Sequence, residues 1–427
     1  MKPVIGYAGM THLGINSAAA AAAYGFQTVC FDPDEDLIDR LKQGKIPVIE
    51  PGLNEIIGSQ ASRLTFSSHH EALHACQVIY IAADVATDEQ GRSDLTQIQG
   101  LITRVVPNLS SSAILVVLCQ VPPGFTRNLV VSKDRLFYQV ETLIFGQAVE
   151  RAMSPERFIV GCEVPERELP ASYKTFLDAF SCPVLPMKYE SAELAKISIN
   201  CCLVGMISVA NTLAELCERI GADWREIVPA LRLDKRIGPH AYLSPGLGIA
   251  GGNLERDLTT VCNLAEEYGT DAEVVRSWMH NSRYRKDWVL RMFHREVLPR
   301  DTCSEIAILG LAYKENTHST KNSPSLALIA HLKDWALRVY DPVVDGSEVD
   351  HPKCTRADSP LEAVRDADVV ILMTPWPEFK DVKPADLLQV MRGRTVIDPF
   401  QILPGRECES LGFQYISLGQ RQYRRDQ

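Results

Sequence analysis

The chain of 427 residues carries twelve cysteines but no CxxC pair and no spacing that suits a metal. The adjacent Cys201 and Cys202 fall in an apolar, helix-like stretch, so these thiols read as buried side chains of a reducing compartment, and no metal site is expected. Positive charge is short: 44 Lys and Arg against 54 Asp and Glu leave a formal net charge of −10, which argues against nucleic acid as a partner. That balance does not exclude an anionic small ligand, because a helix N-terminus and a few cations suffice to hold one. Low-complexity tracts are missing. No run of about 18 apolar residues appears, and the opening MKPVIGYAGMTHLG enters a strand at once, without the basic and apolar parts of a signal peptide. The apolar run Ala18 to Ala23 is too short to cross a bilayer and reads as a tightly packed helix. A cytoplasmic protein with no membrane partner is expected.

What is present is a globular composition, 46% hydrophobic and 23% charged, on a chain too long for one core. Residues 3–32 read strand, turn, helix, strand: Pro3-Val-Ile-Gly-Tyr-Ala8, the turn Gly9-Met-Thr-His-Leu-Gly14, an Ala-rich helix from Ile15 to Tyr24, and Gln27-Thr-Val-Cys-Phe31 ending at Asp32. This is a βαβ unit with an acidic residue 23 positions after its first loop glycine. Continuous β-branched runs at 78–83, 113–118 and 157–161 read as further strands buried on both faces. Composition changes after Pro186. From Ser191 to about Gly221 the pattern is helical, as is 222–292 apart from a glycine-rich loop at 244–252. A second α/β region starts near Cys303, with strands at 304–310, 337–341, 367–374 and 395–398 and a helix from Ser325 to Trp335. The expected fold is α/β, with two Rossmann-like doubly wound domains joined by a central helical domain. The expected boundaries are 1–190, 191–300 and 301–427, and the long central helices are the expected homodimer interface.

Six stretches in this order carry a resemblance. They are Gly44-Lys-Ile-Pro-Val-Ile-Glu-Pro-Gly-Leu-Asn54, Val121-Pro-Pro-Gly-Phe-Thr-Arg127, Ala192-Glu-Leu-Ala-Lys-Ile-Ser-Ile-Asn200, Asp234-Lys-Arg-Ile-Gly238, Leu309-Gly-Leu-Ala-Tyr-Lys-Glu-Asn-Thr317 and Thr374-Pro-Trp-Pro-Glu-Phe379. With them the chain resembles the UDP-glucose/GDP-mannose dehydrogenase family along nearly its whole length. The resemblance implies an NAD-dependent oxidoreductase acting on a CH–OH group of a nucleotide sugar, of the kind that feeds polysaccharide or glycoside biosynthesis. In that family a sugar alcohol is oxidised to the acid in two hydride transfers, through a thioester on a cysteine.

A dinucleotide turn uses its middle glycine to let backbone approach the pyrophosphate. Here that position is Thr11, whose side chain either pushes the phosphate outward or hydrogen-bonds it. Gly9, Thr11, His12, Leu13 and Gly14 are the cofactor candidates of the turn, and Asp32 suits the ribose hydroxyls, favouring NAD over NADP. The resemblance adds Gln120, where the family has threonine or serine, and Lys321, where it has an arginine that loses its bidentate fork on becoming lysine. The family's Gly-Thr-Pro reads Asp84-Val-Ala86. Glu141 matches a family glutamate, whereas Phe145 stands where a second one lies.

Lys196 and Asn200 are spaced i and i+4, so both project from one helix face. The resemblance gives Lys196 an oxyanion role, with Asn200 beside it, and makes Asp257 the proton acceptor, directly or through water. The loop Pro245 to Asp257 aligns with a family stretch ending Cys-x-Pro-Lys-Asp, and its cysteine is Asn253 here. An amide is not a thioester-forming nucleophile, and the next cysteine downstream is Cys262. Arg236, Gly248 and Lys314 match the family's substrate contacts, but Phe400 replaces an arginine. The expected reaction is one two-electron alcohol oxidation, or a hydride-out, hydride-back epimerisation. The alternatives are a non-catalytic paralogue that binds NAD or a nucleotide sugar for a partner enzyme, and a slow, cysteine-independent oxidation to the acid.

Overall fold

A computed structural model describes residues 2–88, 91–299 and 303–420. The expected domain boundary at 300–301 lies outside the described residues. By compactness the chain divides into two units, residues 1–199 and 200–427.

The first unit is built on β1 (Ile5–Ala8), α1 (His12–Ala23) and β2 (Thr28–Phe31), followed by strands β3 (Leu64–Ser67), β4 (Val78–Ile81), β5 (Ile114–Val117), β6 (Leu136–Gln139), β7 (Phe158–Cys162) and β8 (Val184–Lys188). They form one sheet in the order β8-β7-β6-β5-β4-β1-β2-β3. All pairs are parallel except β6 with β7. The residues of β1, β2, β4 and β5 are all buried, as the apolar runs require of strands covered on both faces. Strand order reverses beside β1, which pairs with β2 on one side and β4 on the other. In such sheets the carboxyl ends at this switch point form the ligand crevice.

Helix α1 starts at His12 rather than at Ile15, so the glycine turn is only Gly9, Met10 and Thr11. The cause is steric. A Cβ on Gly14 would meet the Gly9 carbonyl oxygen at 1.7 Å, so only glycine lets the helix begin this close to the strand. The alanines 18–22 are buried and let the helix lie close to the sheet.

Helix α2 (Tyr189–Ile220) is one continuous rod of 32 residues. Its most apolar 18-residue window has a mean hydropathy of 1.7, enough by length and composition to cross a bilayer, with 39% of that window buried. The sequence shows no unbroken apolar run there, because polar residues such as Asn200 and Asn211 interrupt it.

In the second unit, α3 (Trp224–Leu233), α4 (Asn253–Tyr268) and α5 (Glu273–Lys286) follow. The irregular segment between α3 and α4 runs from 234 to 252, longer than the expected 244–252. Gly238 at φ +88° and the prolines 239 and 245 prevent helix there. The second sheet comprises β9 (Glu305–Leu309), β10 (Ala336–Tyr340), β11 (Cys354–Arg356), β12 (Val369–Leu372), β13 (Thr395–Ile397) and β14 (Gln414–Ile416), with α6 (Pro324–His331) between β9 and β10. Its order is β11-β10-β9-β12-β13-β14, parallel throughout. The two doubly wound sheets and the helical segment agree with the expected fold class.

Candidate active site

The turn after β1 has the features of a dinucleotide site. Gly9 adopts φ +105°, and its N–H donates to the Phe31 carbonyl at 2.8 Å, closing β1 onto β2. Asp32 follows β2 and is buried. Its Oδ2 accepts the Met10 N–H at 2.7 Å and its Oδ1 the Asp34 N–H at 3.0 Å. A carboxylate has about four acceptor sites, so one backbone donor on each oxygen leaves room for ribose hydroxyls. Together with the Gly9–Gly14 contact, this fits a dinucleotide.

Two side chains of the turn do something else. His12 is buried, its Nε2 lying 2.7 Å from Glu50 Oε1, and its ring stacks on Phe145 with centroids 4.0 Å apart. Glu50 also accepts the Gly146 and Ala148 N–H groups at 2.7 and 3.2 Å. The His12 side chain is therefore engaged within the fold. Thr11 Oγ1 accepts the Asp84 N–H at 2.9 Å, and Leu13 donates its N–H to Asp84 Oδ2 at 3.3 Å. Neither Glu50 nor Asp84 was among the candidates. Glu50 sits within the matched Gly44–Asn54 stretch, which was the only signal available for it.

Gln120 opens the loop after β5. That loop is pinned through Gly124 and Thr126, whose N–H groups donate to Glu193 at 2.6 and 2.8 Å. Burial pushes the Glu193 carboxyl up, and these amides offset only part of that rise. Glu193 stands one turn before Lys196 on α2, so the matched Val-Pro-Pro-Gly-Phe-Thr loop and the lysine share one anchor. Lys196 is nearly buried, with Nζ 4.0 Å from Glu141 Oε2. Glu141 also accepts the Leu143 N–H, which aims it back at its own turn.

Asn200 follows Lys196 by one helical turn and donates from Nδ2 to Asp257 Oδ2 at 2.5 Å. Both are buried. The Arg256 Nε lies 3.6 Å from Asp257 Oδ1, so a cation flanks the carboxylate. Asn253 is the first residue of α4 and is exposed, one turn before Asp257. Of the cysteines, Cys201 neighbours Asn200 and feels the Asp257 charge, but burial first and that carboxylate second push its thiol up to about 11. At neutral pH it stays protonated and is no substitute nucleophile.

The glycine-rich loop is held against the start of the second doubly wound region. Ile249 N–H donates to Ser282 Oγ at 2.8 Å, and a Cβ on Gly248 would meet the Ser282 carbonyl oxygen at 2.4 Å. Gly251 N–H donates to the Lys321 carbonyl at 3.1 Å, Asn322 Nδ2 returns a bond to the Gly251 carbonyl at 2.9 Å, and Tyr313 packs over Gly251. Lys314 Nζ stands 5.9 Å from the Tyr313 ring centroid. Gly248, Lys314 and Lys321 are thus gathered around one loop. Arg236 instead pairs with Asp234 of its own turn at 2.7 Å, its side chain 89% exposed. Phe400 packs partly buried against the apolar core of the second sheet.

Comparison with known proteins decides the family. Residues 4–176 match the family model "UDP-glucose/GDP-mannose dehydrogenase family, NAD binding domain", residues 190–283 its central domain, and residues 307–405 its UDP binding domain. The chain belongs to the UDP-glucose/GDP-mannose dehydrogenase family. Its first unit carries the family's NAD-binding domain, and the cofactor expectation, NAD, stands. The chain is 29% identical to the UDP-glucose 6-dehydrogenase TuaD of Bacillus subtilis over 96% of this chain and 92% of that one. It is also 29% identical to a UDP-glucose 6-dehydrogenase of Rhizobium meliloti, over 96% and 98%. A UDP-glucose dehydrogenase from Pyrobaculum islandicum superposes with a TM-score of 0.86 at 25% identity, covering 97% of each chain. These relatives support an NAD-dependent oxidoreductase.

Proposed function

We propose that the protein oxidises one alcohol of a nucleotide sugar in a single two-electron step. The observation that carries this reading is the state of α4: Asn253 stands exposed at its first residue while Asp257, one turn on, is buried and held by Asn200. The proton-accepting carboxylate is thus organised, and the covalent nucleophile is not. When bound, NAD supplies the hydride-accepting ring. Lys196 stabilises the alkoxide as the hydride leaves, Asp257 takes the hydroxyl proton directly or through water, and Asn200 orients Asp257. Arg236, Gly248 and Lys314 hold the nucleotide sugar, and Asn253 lines the site without a covalent role. In this reading 1–190 binds NAD, 191–300 is helical and dimerises, and 301–427 binds the nucleotide. Val209, Leu213, Leu216 and Ile220, between 40% and 65% exposed on α2, support a homodimer in a cytoplasmic protein.

The test is incubation with NAD and, in turn, UDP-glucose and GDP-mannose, followed by reduced-cofactor absorbance and product mass. One reduced NAD per aldehyde or ketone is expected, and Lys196→Ala should cut turnover by about 10²–10³-fold. Release of the sugar acid with two reduced NAD per product would sink the single-step reading in favour of cysteine-independent oxidation. Formation of a stereoisomer of the nucleotide sugar without net NAD reduction would mark an epimerase. A second reading, a binding paralogue that serves a partner enzyme, is favoured by Phe400, whose packing offers no polar group to a nucleotide. It predicts a thermal shift with a nucleotide sugar and no turnover.

A further inference from the structure

We propose that Asp84 sets NAD affinity by occupying, through its own carboxylate, the place at the N-terminus of α1 where a dinucleotide pyrophosphate rests. The inference builds on the NAD-binding assignment and concerns residues of this chain that depart from the family pattern. The first N–H groups of a helix have no intrahelical acceptor, and they attract anions by bonding and by the helix dipole. In α1 the Leu13 N–H, at the second helical position, already donates to Asp84 Oδ2 at 3.3 Å. Thr11 contributes no side-chain cap to this helix. Its hydroxyl accepts the Asp84 N–H at 2.9 Å instead.

Two substitutions thereby act as one latch. Thr11, at the middle position of the turn, ties down the backbone of residue 84, and the residue 84 carboxylate reaches the helix end. With glycine at position 11 there would be no hydroxyl to make the tie, and without the Asp84 carboxylate there would be no anion to place. The physics that would draw a pyrophosphate draws Asp84 first. Asp84 is exposed, so it can swing into solvent. The latch therefore opens at a cost and lowers affinity rather than abolishing binding. Asp32 is not part of it, since its oxygens are engaged by Met10 and Asp34.

Calorimetric titration of the full chain with NAD, ADP-ribose and AMP tests the latch. Asp84→Asn, and separately Asp84→Ala, should tighten NAD and ADP-ribose by about fivefold at low salt, with the gain shrinking as ionic strength rises. AMP, which lacks the pyrophosphate, should change little. Thr11→Gly should tighten NAD as well, and its effect should not add to that of Asp84→Asn, because both open the same contact. Unchanged or weaker NAD binding in both Asp84 variants would overturn the latch, as would an equal gain for AMP. Failure of every variant and of the wild type to bind NAD would overturn the cofactor assignment with it, a result distinct from unchanged binding.

Discussion

The two doubly wound sheets repeat one backbone device and use it for different ends. In the first, Gly9 at φ +105° donates to the carbonyl of Phe31, and Asp32 follows; in the second, Gly310 at φ +100° donates to the carbonyl of Tyr340, and Asp341 follows. Both glycine N–H bonds are 2.8 Å long. The carboxylates then part company. Among the described residues, Asp32 accepts from the Met10 and Asp34 N–H groups. Asp341 Oδ2 accepts from Leu311 N, Ala312 N and Trp376 Nε1 at 2.7, 3.0 and 3.0 Å, and its Oδ1 from Val343 N and Val344 N, both at 2.9 Å. With those donors its lone pairs are spent. The entry to the helix differs too: residues 9–11 precede α1, whereas 310–323 intervene before α6. An acid at the end of a second strand therefore keeps acceptor capacity to spare in one sheet and is a saturated structural clamp in the other.

This contrast can be broken by substitution. The largest effect is expected at Asp341. Asp341→Ala strands several buried donors and should cost about 3–5 kcal/mol of stability, read by denaturant unfolding, while any folded fraction keeps its NAD affinity. Asp32→Ala should do the reverse, weakening NAD by about tenfold, as expected for a hydrogen bond to a charged group, with a smaller loss of stability. Equal destabilisation by the two would erase the distinction. The smallest effect concerns a partly buried clamp of the second sheet, Asp368. Burial alone would raise its carboxyl, but Arg392 and the Ser304 and Glu305 amides outweigh it and bring it down to about 2. A depressed acid contributes stability above its unfolded value of 3.8, and that contribution is lost as pH falls through the folded value. Asp368→Asn should lower Tm slightly at neutral pH, with the gap to wild type closing as pH drops from about 4 towards 2.

Much of this architecture was legible because parallel strands buried on both faces write themselves as β-branched runs, as at Val78–Ile81 and Ile114–Val117. Strand β8 was hidden by Pro186, which an edge position tolerates. The early start of α1 was hidden because the permissive residue, Gly14, acts through a contact with Gly9 that no periodicity reveals. The Lys196–Asn200 spacing was legible, being a property of one helix. The Asn200–Asp257 bond, 57 residues apart, needed the family resemblance to be suspected. The Thr11–Asp84 tie was not legible at all: each residue stood out as a departure, but their pairing depends on β1 and β4 lying side by side in the sheet, which sequence separation conceals.

The unbroken course of α2 makes length, rather than lettering, the guarded quantity between Lys196 and Asn200. Each helical residue turns the chain by about 100°. Conservative exchanges at Ile197, Ser198 or Ile199 would leave both side chains facing the same way, whereas one inserted residue would swing Asn200 off that face. The helix works as a ruler, and its graduations matter more than what is engraved on them.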